Sequence, residues 1–293
     1  MADLVKWCLY ISYIYGRISG VLNFEIDLKT GIVSKYLCAT ATEMVQISMA
    51  FILVRKYLTI RMALGMWSVL ALTGIVNVII TQYYIAIAHI RGCYMTLNKE
   101  LESILYKAKS LVPSRRGVFV TKCCFLADRL DEIAKTQSEL QELTDRLSKT
   151  YEVQLLCMAL TFYLNSIGSI YIMFSVGKYK NMIEDWPQVA KYLAAAYFIF
   201  FYLDIWLTAY NLFHLLDVHR EMVNLMEQRT LLFPGLDKRL LTAFESFELN
   251  LARNPFRLRF FGFFEADRTT CFSWCNSMIA NSIFLIQYDV QNY

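Results

Sequence analysis

The chain has 293 residues and a formal net charge of +4, and 57% of its residues are hydrophobic while only 18% are charged. A soluble domain carries about 25% charged residues, so this chain has too few charges to cover a soluble particle of such apolar content. Its 11 Gly, 4 Pro and 8 Cys also exclude collagen-like and disulfide-stapled folds. The composition therefore predicts an all-α, multi-spanning helical membrane protein.

The N-terminal segment, residues 1–35, is predicted to be cytoplasmic. Its apolar part, residues 4–20, is shorter than the roughly 20 residues that a spanning helix needs, and it contains Arg17. The segment does not combine a basic start with a small-residue cleavage site, as a signal peptide would. We therefore expect an interfacial or packed helix here.

The remaining chain, 36–293, is predicted to form a helical membrane domain with five spans, each offering roughly 20 mostly apolar residues. The second, third and fifth spans contain no charged residue, whereas the apolar parts of the first and fourth contain Glu43 and Asp204. A span tolerates a single carboxyl that faces the protein interior or a wet cavity. The predicted spans lie near 36–56, 62–90, 154–177, 188–213 and 269–288.

The basic residues predict the orientation of the chain, since Lys and Arg concentrate in cytoplasmic loops. Of the 29 Lys and Arg, 11 lie in 91–152 and 8 lie in 214–268, so both segments are predicted to be cytoplasmic. This inverted topology places the N-terminus inside and the C-terminus outside. Arg55, Lys56 and Arg61 oppose it, and the topology of the first hairpin stays open.

Both cytoplasmic loops are predicted to be helical. Apolar residues in the first loop recur close to a heptad spacing, which favours a helix packed on its neighbours or a coiled coil with another subunit. Because no proline interrupts residues 114–186, this helix could continue directly into the span at 154–177. The second loop is expected to break at Pro234-Gly235 and at Asn254-Pro255. The heptad-like residues are Leu130, Ile133, Leu140, Leu143 and Leu147.

The sequence shows no pattern typical of an enzyme, a cofactor site or a metal site. It contains neither a G-x-x-x-x-G-K-[ST] phosphate loop nor an H-E-x-x-H zinc motif, and its cysteines form no C-x-x-C pair. His89, His214 and His219 do not share metal-ligand spacing. The small positive charge follows from loop residues and does not indicate nucleic acid as a partner.

The last predicted span carries one polar face on a helical wheel drawn at 100° per residue. In a bilayer such a face must turn away from lipid. Two interpretations stay open, a helix–helix interface held by polar residues and the lining of a water-filled pore with Phe284 or Tyr288 as a constriction. The polar face consists of Thr269, Thr270, Ser273, Asn276, Ser277, Asn281, Gln287 and Tyr288, with Ala280 and Phe284 in the same arc.

The C-terminal stretch resembles the signature of the insect gustatory receptors. That signature reads Thr-Tyr, then five mostly apolar residues, then Gln-Phe. Here Gln287-Tyr288 occupies the Gln-Phe place, while Ala280-Asn281 replaces Thr-Tyr. The stretch 254–264 belongs to the same resemblance, and the segments 13–27 and 121–129 look like those of one fly subfamily.

The resemblance implies a seven-helix chemoreceptor that assembles as a homo- or hetero-tetramer in the plasma membrane of taste neurons. It further implies a ligand-gated, non-selective cation channel that detects small-molecule tastants, with bitter compounds as one candidate class and with no cofactor. The last helix of such a channel lines a central pore. The implied pore and gate residues are Gln287, Tyr288, Phe284, Asn281 and Ser277.

The resemblance also implies a ligand pocket in the outer part of the helical bundle, so we expect aromatic and polar residues of the outer halves of the spans to line it. The expected residues are Trp67, Asn165, Tyr171 and Tyr197.

Members of the family are longer, so the chain is expected to lack roughly the first helical hairpin. A truncated, non-conducting isoform or an incomplete gene model is therefore an alternative. A transporter is less expected because the chain shows no internal repeats.

Overall fold

The computed structural model describes residues 41–42, 44–48, 52, 60–111, 116–179, 187–228, 237–260 and 264–292. The predicted N-terminal segment, Glu43 and the break at Pro234-Gly235 lie outside these residues. The long helices are α1 (Ile60–Lys109), α2 (Arg116–Thr150), α3 (Glu152–Lys178), α4 (Gln188–Glu227), α5 (Lys238–Arg253) and α6 (Arg268–Asn292).

The predicted all-α class is confirmed, and one short antiparallel ribbon is added to it. Strands β1 (Arg259–Phe260) and β2 (Phe264–Glu265) pair Arg259 with Glu265. The ribbon follows α5, which ends at Arg253, directly before Asn254-Pro255. The expected break is confirmed there, because a proline restricts the backbone of the residue before it and cannot extend the helix.

The described chain divides into two compact units. The first comprises the described residues of Met1–Ile85 together with Tyr151–Tyr210 and Asp267–Tyr293, and the second comprises Ala86–Thr150 and Asn211–Ala266. The bounds of the second unit fall within about five residues of the two segments predicted to be cytoplasmic. Which residues lie in the bilayer, and on which side the loops lie, stay predictions.

The core of the second unit forms where α5 packs on α2. Apolar side chains recur along α5 with helical spacing, so they share one face and are buried together. Asp237 caps the helix by accepting a hydrogen bond from the Arg239 backbone N–H at 3.1 Å. The buried residues of α5 are Leu240, Ala243, Phe244, Phe247 and Leu251.

The heptad-like seam predicted for α2 is correct in its first part only. Leu130 and Ile133 are buried, whereas Leu143 is 52% exposed. The buried face instead continues through Gln137, four residues after Ile133, and Thr144, seven residues after Gln137, since these spacings keep the three residues on one side of the helix. Helix α2 thus packs on α5 within the chain, as the first of the two alternatives expected.

The expectation of one continuous helix from α2 into α3 is wrong. The helices are separated by Tyr151, whose backbone has φ −99° and ψ 9°. Its hydroxyl donates a 3.2 Å hydrogen bond to Gln82 Oε1, and its ring lies 5.7 Å from that of Tyr83. The break coincides with these contacts between the Tyr151 side chain and α1. The sequence did not indicate it, because no proline lies at this position.

In the first unit, α3 packs on α6 and also meets α4. Small side chains on α3, including Ser166 and Ser169, are buried, which allows close approach of helices. The Phe162 ring of α3 lies 6.2 Å from the Phe201 ring of α4. By length and composition, α3 and α4 are the two helices among the described residues that are long and apolar enough to cross a membrane.

Candidate functional site: the last helix

Helix α6 is buried along one narrow strip, the buried seam, formed by Met278, Ser282 and Asp289. These residues are spaced four and seven apart, so they stand above one another on one side of the helix. The seam packs against α3. Ser282 is completely buried, and its hydroxyl donates to the Met278 carbonyl at 2.7 Å, which satisfies its donor inside this contact.

The polar face of α6 lies on the opposite side of the helix from the buried seam. Ser273 precedes Ser282 by nine residues, which is half a turn away at 100° per residue. Phe284 is 67% exposed and Tyr288 is 60% exposed. Gln287, Ser277 and Asn281 are exposed as well. All five predicted pore and gate residues are therefore surface residues of a single chain, and their pore role stays a prediction.

Tyr163 of α3 ties the edge of this polar face to α3. Its hydroxyl lies 2.7 Å from Ser277 Oγ and accepts a 2.6 Å hydrogen bond from Asn281 Nδ2. Its ring also meets Trp274 edge-on at 6.0 Å between centroids. Two of the predicted pore residues thus have a second role, since they hold α6 against α3 inside one chain.

Four residues at the C-terminal ends of α3 and α6 form the Asp289 cluster, which consists of Asp289, Lys178, Tyr171 and Tyr179. Asp289 is buried, and its Oδ2 accepts from Lys178 Nζ at 3.0 Å and from the Tyr179 hydroxyl at 3.3 Å. Its Oδ1 accepts from the Tyr171 hydroxyl at 3.2 Å. The hydrogen bond from Lys178 holds the pKa of the Asp289 carboxyl below its usual range.

Sequence reasoning missed this cluster, although a signal was present. Lys178 is the charge that follows the predicted span 154–177, and Asp289 is the charge that follows the span 269–288. Both predicted spans run outward in the expected topology, so opposite charges come directly after their outer ends. That coincidence would have indicated a pair between the two helices.

The predicted ligand-pocket residues do not gather at one place in the described part of the chain. Tyr171 belongs to the Asp289 cluster. Tyr197 stacks on Phe201 at 5.7 Å between centroids. Asn165 is exposed, and no hydrogen bond or ring contact joins it to either tyrosine. Trp67 lies on α1, and its side chain is outside the described part of the structure. The pocket stays a prediction.

A separate aromatic cluster lies inside the second unit. The Phe256 ring stacks on His219 at 4.8 Å between centroids, and Tyr94 meets His219 edge-on at 5.7 Å. His219 lies on α4 beyond the predicted span 188–213 and is only 6% exposed. Burial lowers the pKa of His219 to about 4, so the imidazole is neutral at neutral pH. Phe256 belongs to the stretch that carried part of the family resemblance.

Within the described ranges, no three His, Cys, Asp or Glu side chains come together in a way that could hold a metal ion. The chemistry of the described site is that of hydroxyl, amide, aromatic and paired charged groups. Such groups can hold helices together, contact water and contact neutral or charged solutes. In the described residues, these groups hold α6 against α3.

Comparison with known proteins assigns the chain to a family. Residues 32–292 match the family profile described as 7tm Chemosensory receptor. Gustatory receptor 59d of Drosophila melanogaster is 39% identical over 390 residues in an alignment that takes in all of both chains. Since this chain has 293 residues, that alignment contains positions at which it has no residue.

Two further relatives from Drosophila melanogaster agree. Gustatory receptor 36b is 32% identical over 99% of this chain and 73% of its own length. Gustatory receptor 36a is 35% identical over 78% of this chain and 59% of its own length. The profile and the relatives agree with the helical fold and with the family that the sequence resembles. The chain belongs to the insect gustatory receptor family of seven-transmembrane chemosensory receptors.

Proposed function

We propose that the chain is a subunit of a ligand-gated, non-selective cation channel that detects small-molecule tastants. Membership of a chemosensory receptor family supports the receptor part of this proposal. The channel part follows from the resemblance to the gustatory receptors and is supported by the polar face of α6. The subunit works in the plasma membrane of taste neurons as part of a homo- or hetero-tetramer, with its N-terminus inside and its C-terminus outside.

The observation that carries the channel proposal is that the polar face of α6 and its buried seam lie on opposite sides of the helix. A chain with 57% hydrophobic residues offers ample apolar surface to lipid, yet α6 exposes Ser273, Asn276 and Gln287 opposite its packed side. Each unsatisfied polar group in hydrocarbon costs several kcal/mol, on the order of 2–7. The polar face is therefore expected to meet water or a neighbouring subunit, and a central pore provides both.

The aromatic residues beside this polar face support a gate near the outer end of α6. Phe284 and Tyr288 are four residues apart, so they project from the same side on consecutive turns. Both are more than half exposed in one chain. In a symmetric assembly, rings of such side chains form a narrow apolar constriction that controls wetting of the pore.

Electrical recording tests the proposal directly. Cells that express the chain, alone or with related receptors, are expected to pass cation current on application of a tastant panel without any added G protein. Gln287→Ala is expected to change single-channel conductance or the reversal potential, because it removes a polar group from the pore mouth. Gln188→Ala is the matched control, since Gln188 is an exposed glutamine at the start of α4. A response that requires a G protein would contradict the proposal.

Epitope accessibility tests the orientation independently of current. A tag placed after Tyr293 is expected to be stained in intact cells, whereas a tag placed before Met1 is expected to be stained only after permeabilisation. A C-terminal tag that needs permeabilisation would overturn the inverted topology. The pore proposal would then lose its outer gate.

A second candidate is a non-conducting member that modulates longer partners. The alignment with gustatory receptor 59d favours it, because that alignment contains positions at which this chain has no residue. Sequencing the transcript and the genomic region that encodes the N-terminal part discriminates between the two. A skipped exon encoding two spans would favour the non-conducting form, and so would the absence of current with normal surface expression.

A further inference from the structure

We propose that Asp289 is a positioning residue for the gate, and that its ion pair with Lys178 fixes the rotation of the outer end of α6 against α3. The inference rests on the proposed channel function and names the contact that sets the gate's position. It goes beyond the pore residues themselves, because Asp289 lies on the buried seam and not on the polar face.

The position of Asp289 in the sequence couples the ion pair to the predicted gate residues. Asp289 directly follows Gln287-Tyr288, the residues that occupy the signature position of the family. At 100° per residue, Tyr288 stands about 100° from Asp289 and Gln287 about 200° from it. Once Asp289 points at α3, Gln287 points away from α3 and Tyr288 points to the side. A rotation of α6 that moves them must also move the carboxylate away from its partners.

Both carboxylate oxygens of Asp289 and its backbone carbonyl oxygen accept hydrogen bonds from residues at the C-terminal end of α3. Lys178 Nζ reaches Asp289 Oδ2 at 3.0 Å and the Asp289 carbonyl oxygen at 3.4 Å. The Tyr171 and Tyr179 hydroxyls complete the shell at 3.2 and 3.3 Å. Lys178 also lies 4.8 Å from the centroid of the Tyr179 ring. Each carboxylate oxygen thus accepts at least one hydrogen bond, which fixes the orientation of the side chain and stabilises its ionised form.

Burial makes this contact selective for one rotation of the helix. The Asp289 side chain is 9% exposed and that of Lys178 is 27% exposed. A buried carboxylate that loses its cation is strongly destabilised, because neither water nor another charge replaces it. Other ion pairs of the described chain, such as Lys135–Glu139 at 3.9 Å, lie on exposed surfaces, where water screens them. Among these ion pairs, the Asp289–Lys178 pair is therefore the one expected to stabilise one rotation of α6 against α3 over another.

The test is a charge-exchange series recorded in a channel-competent cell. Asp289→Asn and Lys178→Met are each expected to change the basal current or the half-maximal concentration for caffeine, denatonium or sucrose by about fivefold or more, the lower end of typical coupling between sites. The single-channel conductance and the reversal potential are expected to stay unchanged. The double variant Lys178→Asp/Asp289→Lys is expected to restore the wild-type values, because it restores opposite charges. Lys135→Met is the control and is expected to leave gating unchanged.

A milder variant covers the case in which the charge variants do not reach the surface. Tyr179→Phe removes one hydrogen bond and keeps the ion pair, so a smaller shift in the same direction is expected. Wild-type-like gating in all single variants of a conducting channel would overturn the positioning role and leave the channel proposal intact. A shift that the double variant fails to reverse would also overturn it. A wild-type chain that passes no current would overturn both proposals.

Discussion

The Tyr163 hydroxyl of α3 accepts a 2.6 Å hydrogen bond from Asn281 Nδ2 of α6. Asn281 stands where members of the family carry the tyrosine of their Thr-Tyr pair, so a residue at the departure from the signature is also a contact between helices. The contact lies at the edge of the polar face and not on the buried seam. One edge of the polar face is thus a helix–helix interface, as the first of the two interpretations expected, and pore lining stays a prediction for the rest of the face.

Replacing Tyr163 by Phe is expected to weaken the α3–α6 contact without leaving a cavity. The change removes the hydroxyl that Ser277 and Asn281 share, and interhelical hydrogen bonds in membrane proteins contribute about 0.6–2 kcal/mol. We expect the midpoint of thermal unfolding in detergent to fall by about 2–4 °C. Tyr192→Phe is the control, since Tyr192 is 75% exposed on α4. Equal effects of the two changes would show that the hydrogen bonds do not stabilise the helix pair.

Cysteine accessibility is expected to separate the polar face of α6 from its lipid-facing flanks. In a background in which Cys271 and Cys275 are replaced by Ser, the changes Ser273→Cys and Asn276→Cys are expected to react with a water-soluble methanethiosulfonate reagent. Ile279→Cys and Leu285→Cys are expected to be protected, although both positions are exposed in a single chain. The measurement is the rate at which current is modified. Equal rates at all four positions would contradict a pore lined by the polar face.

The second unit is expected to lose stability in acid because of His219. Burial lowers the pKa of His219 from 6.5 to about 4, so the folded state favours the neutral ring. The stabilisation is complete above pH 6.5 and is lost as the pH falls toward 4, since the unfolded chain binds the proton more readily. At pH 5 the loss relative to pH 7.5 amounts to about 2 kcal/mol. Thermal unfolding in detergent at both pH values measures it.

The control for this pH dependence is His219→Phe, which keeps an aromatic ring between Tyr94 and Phe256 but cannot titrate. The variant is expected to show a smaller drop in unfolding temperature between pH 7.5 and pH 5 than the wild type. An identical drop in both chains would show that other groups cause the acid sensitivity.

The packing of α5 on α2 is expected to depend on Phe244. Its side chain is fully buried, and truncation of a buried Phe costs about 3–5 kcal/mol. Phe244→Ala is therefore expected to reduce surface expression and lower the unfolding temperature. Leu241→Ala is the control, because Leu241 lies on the same helix and is 44% exposed. Comparable losses in the two variants would contradict the observed face of α5.

The helices were predictable, because each depends on a pattern within one continuous segment. Apolar runs predicted α3 and α4, and Asn254-Pro255 predicted the end of α5. The polar face of α6 was also predictable, since a helical wheel needs only the sequence of one helix. Its pore role is not tested by the fold of a single chain.

Contacts between helices were the part that the sequence could not supply. Whether Lys178 meets Asp289 depends on the relative height and rotation of α3 and α6, and periodicity describes only one helix at a time. The break at Tyr151 has the same cause, because it accompanies contacts with Gln82 and Tyr83 on α1. The shift of the α2 seam from leucines to Gln137 and Thr144 likewise follows from where α2 packs.

The narrow buried seam of α6 has a consequence for how this receptor can diversify. Because three positions carry the described burial of the helix, most of its surface can vary without disturbing the fold of the chain. A comprehensive library of α6 variants is expected to show low tolerance at Met278, Ser282 and Asp289 when scored by surface expression. Substitutions elsewhere on the helix, apart from Ser277 and Asn281 with their hydrogen bonds to Tyr163, are expected to be far better tolerated by that score. In the proposed channel, selection can therefore change the pore-facing surface of α6 largely without changing how the helix packs on α3.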